Sequence, residues 1–175
     1  MKINDSTEFT MSSQLYLDSL DRNYTRKNGI VYTPVWLASH ITTTAFIQWE
    51  KFNRGKKATS ACDLCCGTGS STYNDQLGID TSKAMIEQAQ KIHSNSRFIK
   101  GNAENYGQHQ EFDTATLMFA FHEMPNYAHH KIIKNAKKIT KHDILIVDIS
   151  PNYSPSKLML SGEPYLLNYK ATIHD

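Results

Sequence analysis

Residues Asp63-Leu-Cys-Cys-Gly-Thr-Gly69 place one acid and two closely spaced glycines at the end of an apolar run. Eleven residues after Gly69 comes a second acid, Asp80, closing Gly78-Ile79-Asp80. A glycine turn after a buried strand lets backbone amides approach a ligand closely, and Gly67 and Gly69 permit positive φ. A carboxylate at the end of the next strand can accept both hydroxyls of a ribose. The pattern is not Gly-x-Gly-x-x-Gly, because Cys65 stands at the first glycine position and no third glycine follows Gly69. That favours a nucleoside ligand without phosphates over a pyrophosphate. A second reactive group lies downstream in Phe119-Ala-Phe-His-Glu-Met-Pro125. His122 could serve as a general base, since an unperturbed imidazole titrates near pH 6.5, with Glu123 to orient it or balance its charge. The competing reading is that His122 closes a pocket and Glu123 caps the following turn.

These groups need strands and helices to carry them. Ser60 to Cys66 reads as strand one and Gln76 to Ile79 as strand two. Only Ser70 to Asp75 separate Gly69 from strand two, too few for a full helical crossover. Ser82 to His93 has amphipathic spacing, with Ala84, Met85, Ile86, Ala89 and Ile92 apolar, and Ser82 can cap it. Arg97–Lys100 is a short strand, and Thr114 to Phe121 is a nearly continuous apolar run, as in a strand buried on both faces. Ala128 to Ile139 is a helix and Asp143 to Ile149 a further strand. Upstream, Gln14 to Leu20 has helical spacing and Arg26 to Gly29 is a turn. Thr33-Pro34 opens a helix running to about residue 52 that should cover one end of the sheet. Pro155 to Leu160 reads as a short helix or turn, and Tyr165 to Ile173 is ambiguous between helix and strand. The βαβ order and right-handed crossovers give a mainly parallel sheet of order 3-2-1-4-5 in an α/β, Rossmann-like fold. Strand five is then an exposed edge unless the N-terminal segment, the tail or a second subunit covers it, which leaves room for a homodimer. The chain divides into an N-terminal helical cap and linker, 1–57, and a ligand-binding unit, 58–175.

Asp63–Gly69, with Gly78-Ile-Asp-Thr-Ser-Lys-Ala-Met-Ile86, resembles the first two motifs of class I S-adenosylmethionine-dependent methyltransferases. Gly101-Asn-Ala-Glu104, Phe112-Asp113, Met118–Pro125 and Ile144-Leu-Ile-Val-Asp-Ile-Ser-Pro151 follow in that family's order, over roughly residues 58–151. Tyr153 to Tyr165 also resembles a methyltransferase subgroup of algae and plants. The resemblance implies S-adenosylmethionine as cofactor and a small-molecule methyl acceptor, with S-adenosylhomocysteine (SAH) as product. It implies that Asp63 orders the glycine turn or meets the amino end of the methionine moiety, and that Cys65, Gly67, Thr68 and Gly69 form the turn itself. Asp80 would hold the ribose, with Thr81, Ser82 and Met85 beside it; Asp80 read alone could instead cap the next helix. Asn102 and Ala103 would meet the adenine edge, although Gly101-Asn102 is also a plain turn signal. Phe119 would contact the cofactor, and His122 and Glu123 would face the substrate side, joined by Asp148 and Tyr153. Tyr24, Tyr32 and Trp36 would form a lid. The chain departs from the family in its short segment after Gly69 and in the two terminal hairpin strands, for which no sequence is seen.

Composition excludes several alternatives. The chain has 175 residues, 39% hydrophobic and 21% charged, which suits one globular domain. A net charge of +2 and short basic clusters, Arg54-Gly-Lys-Lys57 and Lys137-Lys138, argue against a nucleic-acid partner. No stretch is long and apolar enough to span a membrane, and the polar, acid-bearing N-terminus resembles neither a secretory signal nor a transit peptide. A cytoplasmic location is the default expectation. Cys62 and Cys65 have Cys-x-x-Cys spacing, but no second ligand pair accompanies them, so no metal site is expected and the thiols read as small buried hydrophobes. Lys27 to Pro34 resembles a segment of adenine DNA methyltransferases. Those enzymes carry Asp/Asn-Pro-Pro-Tyr/Phe after strand four, where this chain has Phe-His-Glu-Met-Pro. A third reading, from another class, is a protein that keeps the fold but only binds the cofactor or a partner.

Overall fold

The computed structural model describes residues 35–72, 76–155 and 157–173. The expected helix at 14–20, the turn at 26–29, the Thr33-Pro34 helix start and the lid residues Tyr24 and Tyr32 lie outside them, as does the side chain of Trp36.

Helix α1, Val35–Phe52, places Ala38, Thr42, Phe46 and Trp49 on one buried face at helical spacing. Its end is tied to the sheet by Asn53, whose side-chain amide donates to the Trp49 carbonyl at 3.0 Å and to Asp143 at 3.2 Å. Strand β1 is Ala61–Leu64, β2 is Leu77–Asp80, β3 is Arg97–Lys100, β4 is Phe112–Met118 and β5 is Thr140–Val147. All pairings are parallel and the order is β3-β2-β1-β4-β5, as the crossover rules required. Helix α2, Lys83–Ile92, follows β2, and α3, Asn126–Ile139, joins β4 to β5. Two short helices, α4 (Lys157–Gly162) and α5 (Leu166–Thr172), follow β5, which resolves the ambiguity of the tail in favour of helix.

Several boundaries differ from those read off the sequence, and each has a backbone cause. β1 stops at Leu64 because Cys65 turns to φ 65°, a left-handed conformation that ends an extended strand. β4 stops at Met118 because Phe119 has φ 56°, and Phe121–Glu123 then form one 3-10 turn. α3 begins two residues earlier than its apolar pattern, directly after Pro125, and Pro125 forces Met124 to stay extended. It passes into β5 with no loop: Thr140 leaves the helix, and its hydroxyl donates to the Ala136 carbonyl at 2.9 Å.

The main core joins Cys62, Leu64, Ile79, Ala115, Leu117, Ile132, Ala136, Ile139 and Leu166. Thr114 and Thr116 are fully buried within β4, which is affordable because both hydroxyls are satisfied. Thr114 donates to the Asp143 carbonyl at 2.7 Å, and Thr116 to Asp63 at 2.9 Å. The opposite end of the sheet is clamped by Asp113, which accepts from the Thr59 hydroxyl, the Thr59 and Ser60 amides, and Lys141. The Thr59 hydroxyl above all holds its carboxyl well below the usual range. Among the described residues β5 pairs with β4 alone, and exposed Lys141, His142 and Asp143 mark its outer end.

A second small cluster, Cys66, Ile86, Ala89 and Phe98, sits under the glycine turn. A side-chain carbon at Gly78 would lie 2.5 Å from the Phe98 ring and 2.9 Å from the Cys66 sulfur. Phe98 is only 2% exposed, so the ring has nowhere to go. Gly78→Ala is expected to cost about 1–3 kcal/mol of stability, the usual penalty for overpacking, read as a lowered urea midpoint with an unchanged m-value.

Candidate functional site

The carboxyl ends of β1, β2 and β4 open into a cleft of about 460 Å³, a volume within the range of small-ligand sites. Its walls include Cys65, Gly67, Thr68, Asp80, Thr81, Ser82, Met85, Asn102, Ala103, Phe119 and Glu123. Of the residues picked from sequence, Asp63, Gly69 and His122 do not line it. Asp148, from the loop after β5, also stands back from the wall, and Tyr153 is exposed and does not line it.

Asp80 holds the cleft's geometry. One carboxylate oxygen accepts from the Gly67 amide at 3.0 Å, the other from the Ser82 amide at 2.8 Å. Ser82 performs the capping role, its hydroxyl accepting from the Met85 amide at 3.4 Å. Each oxygen of an ionised carboxylate has a further acceptor site, so Asp80 can still take hydroxyl donors from the cleft. Gly67 has φ 54°, and a side-chain carbon there would meet no atom within 4 Å. The backbone at Gly67 is thus open on its cleft side.

Asp63 sits behind the turn, with 0% exposure. It accepts from the hydroxyls of Thr72 at 2.7 Å, Ser71 at 3.1 Å and Thr116 at 2.9 Å. Burial pushes its pKa up to about 6, against the pull of those three hydroxyls. Gly69 serves packing: φ is 81°, and a side-chain carbon would lie 2.7 Å from the Phe98 ring. His93 supports the same turn from α2, with Nε2 3.0 Å from the Thr68 carbonyl. The three thiols are free, and burial, then nearby carboxylates, pushes all three pKa values up. That disfavours the thiolate that metal binding or redox exchange requires.

Asn102 folds into its own turn, its side-chain oxygen accepting from the Glu104 amide at 2.9 Å. The Ala103 carbonyl is held by the Asn135 side chain at 2.9 Å. Both stand at the end of β3, facing the cleft. Sequence reasoning missed Ala38, which brings α1 to the cleft wall, and the apolar residues Met124, Ala128 and Ile132 at the β4 end. The α1 pattern announced burial, but nothing in it told the cleft from the core.

At that end Glu123 faces the cleft, and burial first, then the charges of Glu163, Asp148 and Asp80, push its pKa up to about 8. His122 is buried behind it, its Nδ1 2.5 Å from Asp148 and its Nε2 3.8 Å from Glu123.

The family model described as "Methyltransferase domain" matches residues 61–143. Residues 61–143 are thus similar to a methyltransferase domain, and the sheet has the Rossmann-like methyltransferase fold. Its fold is similar to the plantazolicin methyltransferase BpumL, solved with a triazolic desmethylPZN analog and SAH. The two have 19% identity and a TM-score of 0.59, over 95% of this chain and 69% of that one. The related BamL complex gives 22% identity and a TM-score of 0.54, over 95% and 68%. The PH0226 protein from Pyrococcus horikoshii OT3 gives 19% and 0.51, over 70% and 62%. A comparison with curated proteins found no match. No described helix is long and apolar enough to cross a membrane.

His93 gives the glycine turn a pH-dependent support. Burial lowers its pKa to about 4, from an ordinary value of 6.5. The unfolded chain therefore binds the proton more readily between these values, and stability falls as pH drops from 6.5 towards 4. Asp63, raised to about 6 from 3.8, acts in the opposite sense over nearly the same window. The stability difference between wild type and His93→Gln isolates the first effect. Urea unfolding at several pH values should show that difference shrinking on acidification below 6.5 and staying level above 7.5.

Proposed function

We propose that the cleft binds S-adenosylmethionine and that the protein transfers its methyl group to a small-molecule acceptor. Asp80 carries this reading: it is a carboxylate at the end of β2, already bonded to the glycine turn and still able to accept two hydroxyls from the cleft. The residues fit the cofactor. Gly67 presents open backbone, Asp80 offers acceptors for a ribose, and Asn102 and Ala103 stand where an adenine edge would lie, with Met85 near it. Asp63, as a buried brace, sets the turn without reaching the cleft.

Bound there, the cofactor supplies a sulfonium methyl and is converted to SAH. What the protein adds is alignment and exclusion of water. Phe119, Met124 and Ala128 form the apolar end of the cleft, beyond β4. Glu123 is placed there to hold a polar group of the acceptor, and His122 behind it acts as a positioning residue. The helical cap and the S-adenosylmethionine-binding unit, 1–57 and 58–175, work as one body in this reading, since Ala38 of α1 reaches the cleft.

A second reading, a catalytically impaired relative that only binds cofactor, draws on one observation. Residues 70–72 form a turn rather than the start of a helix, so Ser71 and Thr72 brace Asp63 where a crossover helix would stand. Product formation separates the two.

Isothermal titration of SAH and S-adenosylmethionine tests the cofactor reading. Micromolar binding by wild type is expected, weakened at least about tenfold in Asp80→Asn, since each hydrogen bond to a charged group contributes roughly 1.5–3 kcal/mol. Far-ultraviolet circular dichroism checks that the variant is folded. Unchanged affinity in folded Asp80→Asn, or no binding by folded wild type, overturns the reading.

A further inference from the structure

Beside the cleft lies a cluster that cofactor binding does not use. His122, Glu123 and Glu163 each present one potential ligand atom, and all three atoms lie within 4.8 Å of one another. Glu123 comes from the 3-10 turn after β4, Glu163 from the Gly162-Glu163-Pro164 break before α5.

The imidazole is oriented for a ligand. Asp148, 3% exposed at its side chain, accepts from the Phe121 and Ile149 amides at 2.7 Å each. So held, its carboxylate takes the His122 Nδ1–H at 2.5 Å. That fixes the tautomer in which Nε2 carries a lone pair, the arrangement of a carboxylate–histidine–metal triad. Nε2 points towards Glu123 at 3.8 Å, beyond hydrogen-bond range. Glu163 is 7% exposed, and a carboxylate oxygen of it belongs to the cluster. Buried carboxylates are normally paired or bound to a cation.

We propose that His122 Nε2, Glu123 and Glu163 form a binding site for one divalent first-row transition-metal ion, with Asp148 as its outer support. Ligand distances near 2.0–2.2 Å require donor atoms about 3.0–3.5 Å apart, so the cluster, with 3.8 Å between His122 and Glu123 and all three atoms within 4.8 Å, must contract on binding an ion. One nitrogen and two carboxylates suit zinc or manganese better than magnesium, which favours oxygen and keeps its water. The two glutamates, ionised, balance a dication. Glu123 lines the cleft, so the remaining coordination positions open towards the acceptor end. The cysteines play no part.

The test needs neither cofactor nor acceptor, so its outcome is separate from the methyl-transfer reading. Chelator-stripped, tag-free protein is titrated calorimetrically with Zn²⁺ and with Mn²⁺. One saturable site per chain is expected, weakened at least tenfold in Glu163→Gln and in Glu123→Gln, with Mg²⁺ failing to compete at equal concentration. The melting temperature of each metal-free variant shows that it is folded. The proposal is overturned by no saturable binding of either ion to folded wild type, or by binding that survives both substitutions.

Discussion

The structure depends on a buried carboxylate. Asp63 has no exposed surface, and such a group is tolerable only if hydroxyls or amides replace the water it has lost. Thr116 supplies one donor from the neighbouring strand β4, and Ser71 and Thr72 supply two from the turn beyond Gly69. One side chain thus fastens β1 to β4 and fixes the course of a loop too short to hold a crossover helix. Gly69 and Gly78 let that loop lie against the Phe98 ring, and His93 holds the Thr68 carbonyl from the other side. The turn is then rigid where it meets the cleft. Asp80 completes the frame by bonding the Gly67 amide, so the acid best placed to meet a ribose also sets the loop that would flank it.

The sequence was informative where one residue type has one physical use. Alternation of apolar runs with glycine turns gave the strand order, because parallel strands buried on both faces leave a continuous apolar signature. Ser82 declared itself as a cap, and Asp80 as a strand-end acid. Boundaries were less legible wherever a non-glycine residue takes positive φ. Cys65 and Phe119 carry no local sign that they end strands, and only the tertiary setting places them there. The role of Asp63 was half visible. Its position said that it served the turn, but its isolation from the cleft depends on Thr116, more than fifty residues downstream. The tail helices were ambiguous because short apolar stretches show no clear period.

The β4 end of the cleft shows why adjacency in sequence misleads. His122 and Glu123 are neighbours in the chain, yet they face different surroundings: Glu123 lines the cleft, and His122 is buried against Asp148. What the pair does share is Glu163, some forty residues further on, a residue whose place in a Gly-Glu-Pro break gave no hint of chemistry. The tail is packed against this end of the sheet by Leu166, fully buried, and by Tyr169, whose hydroxyl donates to the Ile149 carbonyl at 2.8 Å. Those contacts put Glu163 beside the histidine and make it costly for the carboxylate to swing out to water. The short tail therefore does more than cover the sheet: it brings a second acid beside His122 and Glu123. The five described parallel strands are enough to position this cluster: His122 and Glu123 come from the turn after β4, Glu163 from the tail, and Asp148, which orients His122, from the loop after β5.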